Sequence, residues 1–306
     1  MRNGPARAPV PRSTIKGTEG TAIMSKAPVV VGTDGTACGT TAVEWAAGEA
    51  RRRGAPLRIV LAYDWDVHES SFGSEYADVA RNLAETTVAA AHERARQVEP
   101  GITIETDVLP GYAVPTLLEA AEGAALLVVG SRGHGGFAGM LLGSVGRRMA
   151  LQAPCPVVVV RGRAAPAGPV VVGLDDSGEM LEAAFEAAAA RETSLTVVRA
   201  VLPAVPLWLG VPAAALPLPL DDDAERKQVA EQLAPWLDRY PRVHADTVLS
   251  HDSAAAALVT ASAKAQLVVI GSHGHSTVGG ALMGSTGLQL LHHAHCPVLI
   301  ERRAQS

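Results

Sequence analysis

The chain is short of aromatic residues, of cysteine and of runs of like charge, and each shortage removes a class of explanation. Aromatics make up only 4% of the 306 residues, so Ala, Val and Leu must fill any core. Three cysteines, Cys38, Cys155 and Cys296, do not make a disulfide framework and fit a reducing, cytoplasmic setting. The net charge is -5, and the only basic run is Arg51, Arg52 and Arg53, which reads as a solvated helix end. No nucleic-acid footprint follows from that balance. No stretch of 18 apolar residues has helical character, which argues against membrane insertion. The most apolar tract, residues 201–220, carries five prolines and Trp208, and reads as a covering loop or an interaction surface for a protein partner. The first residues, up to about Ile23, lack the apolar centre of a signal peptide and read as a disordered tail.

Familiar phosphate motifs are also missing. No G-x4-G-K-[ST] occurs, so a Walker loop is excluded. Gly133-His134-Gly135 resembles a fragment of a dinucleotide fingerprint, but it follows the fourth predicted strand rather than the first. That position argues against a nicotinamide-dependent oxidoreductase.

What is present is a glycine pattern that occurs twice. Gly130, Gly133, Gly143 and Ser144 read G-x2-G-x9-G-S, and Gly271, Gly274, Gly284 and Ser285 repeat it 141 residues later. Cys155-Pro156 recurs as Cys296-Pro297, and Asp34 as Asp175, at the same offset. The chain therefore reads as a duplicated domain, and its length suits two. The divisions are a tail over 1–25, a first domain over 26–163, a linker over 164–168 and a second domain over 169–306. A hydrophobic fraction of 48% suffices for two buried cores.

Each half alternates apolar runs with helical periodicity. In the first half, strands are predicted over 28–32, 57–62, 102–109, 126–129 and 157–160, with helices over 40–53, 77–98, 114–122 and 144–153. In the second, strands are predicted over 170–173, 195–200, 243–249, 267–270 and 298–300. A local register change near Leu109 and Leu249 reads as a one-residue insertion or deletion. Apolar strands without period-2 alternation, separated by helices, indicate an α/β fold with a parallel sheet covered on both faces. Ligands bind such sheets at the carboxyl ends of the strands, near a topological switch point.

The repeated loops suit phosphate. Glycine lets the backbone approach a ligand closely. Ser144 and Ser285 stand where a helix opens, and their hydroxyls either cap it or turn to a phosphate oxygen. Successive N–H groups there form an anion cradle. Asp34 and Asp175 end the first strand of each half. Either one bonds a ribose hydroxyl, joins a phosphate-bound metal, or closes a local Asx-turn.

These residues resemble the universal stress protein family. The resemblance is carried by V-V-V-G-T-D-G-T from Val29 and by V-V-G-S-R-G-H-G-G-F-A-G-M-L-L-G-S-V from Val128. Their partners are V-V-V-G-L-D-D-S from Val170 and V-I-G-S-H-G-H-S-T-V-G-G-A-L-M-G-S-T from Val269. The resemblance covers about residues 26 to 304 as a tandem pair, and G-x2-G-x9-G-[ST] is the motif of the family's ATP-binding branch. It implies two Rossmann-like, adenine nucleotide alpha hydrolase-like domains, each with a five-stranded parallel sheet in order 3-2-1-4-5. It implies ATP, with magnesium reached by Asp34 and Asp175 through the nucleotide. In the first half it assigns ATP to Thr33, Asp34, Ala62, Gly130, Arg132, Gly133, Gly143, Ser144 and Val145. In the second half the residues are Leu174, Asp175, Ala200, Gly271, His273, Gly274, Gly284, Ser285 and Thr286. The adenine lies by Ala62 or Ala200 and the triphosphate on the glycine loop. The last strands, Val157–Val160 and the run Val298, Leu299 and Ile300, are expected to pair between the halves as a pseudo-dimer, or between chains as a homodimer.

Two readings compete with a regulator of stress or dormancy that acts through its nucleotide state. One is a slow ATPase or phosphoryl-transfer enzyme; the other is an interaction scaffold with vestigial sites. Asp176, absent from the first copy, adds a carboxylate that weakens ATP or recruits a metal, so the first site is expected to be the tighter. His292, His293, His295 and Cys296 offer metal-ligating chemistry, but a helix end rich in histidine accounts for them equally. Met24 immediately precedes the first domain. Met1 and Met24 are the two candidate starts, and the intact mass of the native protein distinguishes them.

Overall fold

Short runs of valine and leucine form the strands, and alanine-rich stretches form the helices beside them. The computed structural model describes residues 26–63, 74–133, 142–163, 167–178, 180–201, 222–272 and 284–302, the side chains of 74–77 apart. In the first half these residues run β1 (Val29–Gly32), α1 (Ala37–Arg53), β2 (Leu57–Tyr63), α2 (Ser74–Val98), β3 (Ile104–Pro110), α3 (Ala113–Ala120), β4 (Leu126–Gly130), α4 (Ser144–Gln152) and β5 (Val157–Val160). The second half runs β6 (Val170–Gly173), α5 (Leu181–Ala190), β7 (Leu195–Ala200), α6 (Asp222–Arg239), β8 (Ala245–Ser250), α7 (Ala254–Ser262), β9 (Leu267–Gly271), α8 (Ser285–His293) and β10 (Val298–Glu301).

The first helix opens three residues before its predicted start because Thr36 caps it. The Thr36 hydroxyl accepts from the Gly39 N–H at 3.2 Å. The helix closes at Gly54, whose φ of 58° is left-handed. Its inner face is Ala42, Val43, Ala46, Ala47 and Ala50, all fully buried. Side chains this small let the helix lie close to the sheet, which answers the scarcity of aromatics.

The strands form one ten-stranded sheet in order β3-β2-β1-β4-β5-β10-β9-β6-β7-β8. Each half has the order 3-2-1-4-5, and all pairings within a half are parallel. The halves join where β5 meets β10 antiparallel, with Val159 opposite Val298, Val158 opposite Leu299 and Val157 opposite Ile300. The expected pairing of the last strands thus occurs within the chain.

Two expectations need correction. The main buried clusters do not divide by repeat. One lies on the face of α1 and α5 and includes Val29, Ala46, Phe185 and Val269. The other lies on the opposite face and includes Val30, Met149, Leu290 and Val298. Each therefore runs through both halves, because the sheet is continuous and separates the two faces. The register change also lies elsewhere than Leu109 and Leu249. From β6 to β7 the chain is three residues shorter than from β1 to β2, and from β7 to β8 it is three longer than from β2 to β3. The two changes cancel, so the later landmarks return to the common offset.

A buried charge cluster also crosses the junction. Glu49 on α1 accepts from Arg191, just after α5, at 2.6 Å, and both side chains are 4% exposed. Arg52 and Arg53 donate to the same carboxylate at 3.1 and 2.8 Å. The Arg191 guanidinium also stands 5.7 Å from the Trp45 ring centre. Burial pushes the Glu49 carboxyl up, but Arg191, Arg53 and Arg52 more than offset it and hold the pKa at about 2. Such a depressed group stabilises the fold above its ordinary value of 4.5 and loses that contribution as pH falls from there to about 2. Unfolding followed across that window should show stability falling with pH, and Glu49→Gln should flatten the slope. Glu49→Leu leaves Arg191 buried without its anion and should cost about 3–5 kcal/mol in urea unfolding.

Candidate functional site

The carboxyl edge of the first half gathers two loops. One leaves β1 with Thr33 and Asp34, and the other leaves β4 with Gly130, Ser131, Arg132 and Gly133. β1 and β4 are neighbours in the sheet, so their exits lie side by side at the switch point. Asp34 does close an Asx-turn: its Oδ1 accepts from the Thr36 N–H at 3.0 Å and the Thr36 hydroxyl at 2.6 Å. The Thr36 hydroxyl in turn caps α1, so the turn and the cap share one residue. The other carboxylate oxygen meets the glycine loop, because a Cβ on Gly133 would come 2.5 Å from Asp34 Oδ2. The turn therefore orients Asp34 toward the loop.

The loop then folds back on itself. The Gly143 N–H donates to Ser131 O at 2.8 Å. Gly143 packs against Ser131, Arg132 and Gly133. It is also the N-cap of α4, with φ −76° and ψ 160°, and no side chain bonds the cap. The same holds for Gly284 at the start of α8. By contrast, Thr36 and Ser253 cap α1 and α7 with their hydroxyls. Ser144 and Ser285 are first helical residues rather than caps, so the capping role considered for their hydroxyls does not hold. Both stand exposed, while Val145 is half-buried against the core. These helix starts present backbone N–H groups and the positive dipole end to the rim. Arg132 is exposed beside them. The first-half candidates Thr33, Asp34, Gly130, Arg132, Gly133, Gly143 and Ser144 thus converge on one rim. Ala62 lies further along the edge, half-buried at the end of β2.

The second half repeats the frame with changes. Leu174 is buried after β6, and Gly271 ends β9. Gly284, Ser285 and Thr286 open α8. Asp175 Oδ1 accepts from the Ser177 N–H at 2.9 Å, its hydroxyl at 2.6 Å and the Gly178 N–H at 3.1 Å. Ala200 is half-buried at the end of β7. His273 and Gly274 lie outside the described residues, as do His134, His275 and the proline-rich tract with Trp208. Asp176 is not a spare carboxylate. It accepts from Arg199 at 2.6 Å, and Arg199 also donates to Glu225 on α6 at 3.2 Å. One guanidinium thus serves two carboxylates, and the added charge is offset only in part.

Sequence reasoning missed Thr36 and Arg199. An ST-type cap two residues beyond an Asp, and an Arg at the exit of an otherwise apolar strand, were the signals available. Cys155 and Cys296 are buried as expected, and burial lifts their thiols to about 11 and about 12. Among the described residues no group of three or more His, Cys, Asp or Glu is placed to hold a metal ion.

Residues 27–161 and 168–302 each match the universal stress protein family. The chain is 35% identical over 295 residues to the universal stress protein Rv2005c of Mycobacterium tuberculosis, covering 90% of this chain and 97% of that one. It is 33% identical over 307 residues to Rv1996 of the same organism, covering 90% and 95%. The fold is similar to that of a universal stress protein from Archaeoglobus fulgidus, with a TM-score of 0.70, 17% identity, and 92% and 98% of the two chains covered.

The glycines should not be equally replaceable. A Cβ on Gly130 would come 2.8 Å from the Cys38 carbonyl oxygen, which is backbone. On Gly271 it would meet the flexible Met180 Sδ at 2.8 Å. Urea unfolding should therefore show Gly130→Ala costing about 1–3 kcal/mol, as overpacking does, and Gly271→Ala less.

Proposed function

Because the chain belongs to the universal stress protein family, we propose that it binds ATP in each half and acts in the cytosol as a regulator read through its nucleotide state. The observation that carries the proposal is the rim where Asp34 meets Gly133 beside the uncapped start of α4. A side chain at position 133 would fill that space, and a bound phosphate chain would offer acceptors to the first N–H groups of α4. Gly130, Gly133, Gly143, Ser144 and Val145, with Thr33 and Arg132 beside them, would hold the triphosphate, Asp34 would approach the ribose or the metal, and Ala62 would neighbour the adenine. In the second half Leu174, Asp175, Gly271, His273, Gly274, Gly284, Ser285, Thr286 and Ala200 would do the same. Magnesium carried on the nucleotide would supply charge neutralisation, with Asp34 and Asp175 as its nearest carboxylates.

The two sites should differ. Asp176 pairs with Arg199, which it shares with Glu225, so the added carboxylate is offset only in part. A second difference remains: the first loop carries Arg132, whose guanidinium fork suits phosphate, where the second carries His273. The first site should be the tighter. Calorimetric titration of Gly133→Ala and Gly274→Ala, each leaving one site intact, measures both. Equal affinities contradict the assignment.

The experiment for the function itself is mass spectrometry of nucleotide released by denaturing freshly purified protein. ATP is expected. No nucleotide, with no calorimetric binding, supports a scaffold instead. Turnover above about one per second, the lower end for kinases, would make it an enzyme.

A further inference from the structure

Arg161 and Arg302 each follow the last strand of their half, and the repeat relates them. Both reach across the junction to a helix of the other half. Arg161 donates from Nη1 to Leu290 O at 2.8 Å and from Nη2 to His292 O at 2.7 Å. Those carbonyls belong to the last turns of α8. Arg302 donates to Leu151 O at 3.0 Å, Ala150 O at 2.6 Å and Met149 O at 3.2 Å, at the end of α4. The last carbonyls of a helix have no partner within it. A guanidinium fork satisfies several at once and complements the negative end of the helix. The two contacts are exchanged: each helix keeps one bond from its own cap, Ala153 N–H to Met149 O at 3.0 Å and Ala294 N–H to Leu290 O at 2.9 Å, and takes its arginine bonds from the other half.

Both helices begin at a candidate phosphate site. α4 opens after Gly143 in the first, and α8 after Gly284 in the second. Each is nine residues, or about 14 Å at 1.5 Å per residue. A rod that short moves as one body, so fixing its end fixes its start. The backbone beside each arginine also braces the site of its own half. The Ser131 N–H, in the first glycine loop, donates to Val160 O at 3.0 Å, and the Ser272 N–H donates to Glu301 O at 3.0 Å. One short segment therefore braces the loop of one site through its backbone and the helix of the other through its side chain.

We propose that Arg161 and Arg302 are positioning residues that act in exchange: the arginine of each half sets the phosphate-side helix of the other half's site, and the two sites are thereby coupled. The coupling rests on the reading of two ATP sites; the exchanged positioning does not.

The test uses the full chain and two readouts. The first needs no nucleotide. Amide hydrogen exchange in Arg161→Met should speed up over 285–293 and stay unchanged over 144–152, and Arg302→Met should do the reverse. The second readout is calorimetry with ATP in the Gly133→Ala background, where only the second site remains. There Arg161→Met should weaken binding by about fivefold or more, the lower end of site-to-site coupling, and Arg302→Met should leave it unchanged. If Arg161→Met fails to fold, Arg161→Lys, which keeps fewer donors, takes its place and should show a smaller change in the same crossed direction. Faster exchange in the arginine's own half, or equal changes in both helices, overturns the proposal. Crossed exchange without ATP binding in the unaltered protein upholds the positioning and overturns the nucleotide reading and the coupling.

Discussion

Three antiparallel residue pairs between β5 and β10 hold the molecule together, and the rest of the structure depends on them. Each strand would be an exposed edge in an isolated half. Pairing removes both edges and turns two parallel sheets into one. It also explains why the buried clusters run from end to end on each face. The charge cluster at Glu49 and the exchanged arginines lie across the same seam. A chain that joins two copies of one domain thus gains a shared core rather than two beads on a string.

The second constraint is size. With few aromatics, the core is closed by alanine and valine, and helices approach the sheet closely. At the carboxyl edge close packing leaves little room for a side chain at Gly130 or Gly133. The proposed binding there falls to N–H groups and helix ends, which suits an anion with many acceptors. The carboxylate of Asp34 is oriented by its own turn, and the glycine opposite makes space for it. The second half keeps this frame but ties its first loop to α6 through Asp176, Arg199 and Glu225. Duplication preserved the geometry and let the electrostatics diverge.

Much of this was legible in the chain. Apolar runs located the strands, because fully buried parallel strands need no alternation. The doubled G-x2-G-x9-G-S and the recurring Asp marked the candidate site and the duplication of the domain. Local boundaries were less legible: Thr36 looked like turn chemistry until its hydroxyl was seen to cap α1. The partition of the core was not legible at all, since it depends on how the two sheets join. Nor were the pairings of Asp176 with Arg199 and of Glu49 with Arg191, or the carbonyl partners of Arg161 and Arg302, all set by residues outside the local segment. Only the repeat offset between Arg161 and Arg302 hinted at a shared role.

The central claim is that one continuous sheet presents two nucleotide sites. Native mass spectrometry of the intact chain, titrated with ATP and magnesium, counts them directly. The account predicts one chain carrying first one and then two ATP molecules. A chain that remains free of nucleotide at saturating ATP would contradict it.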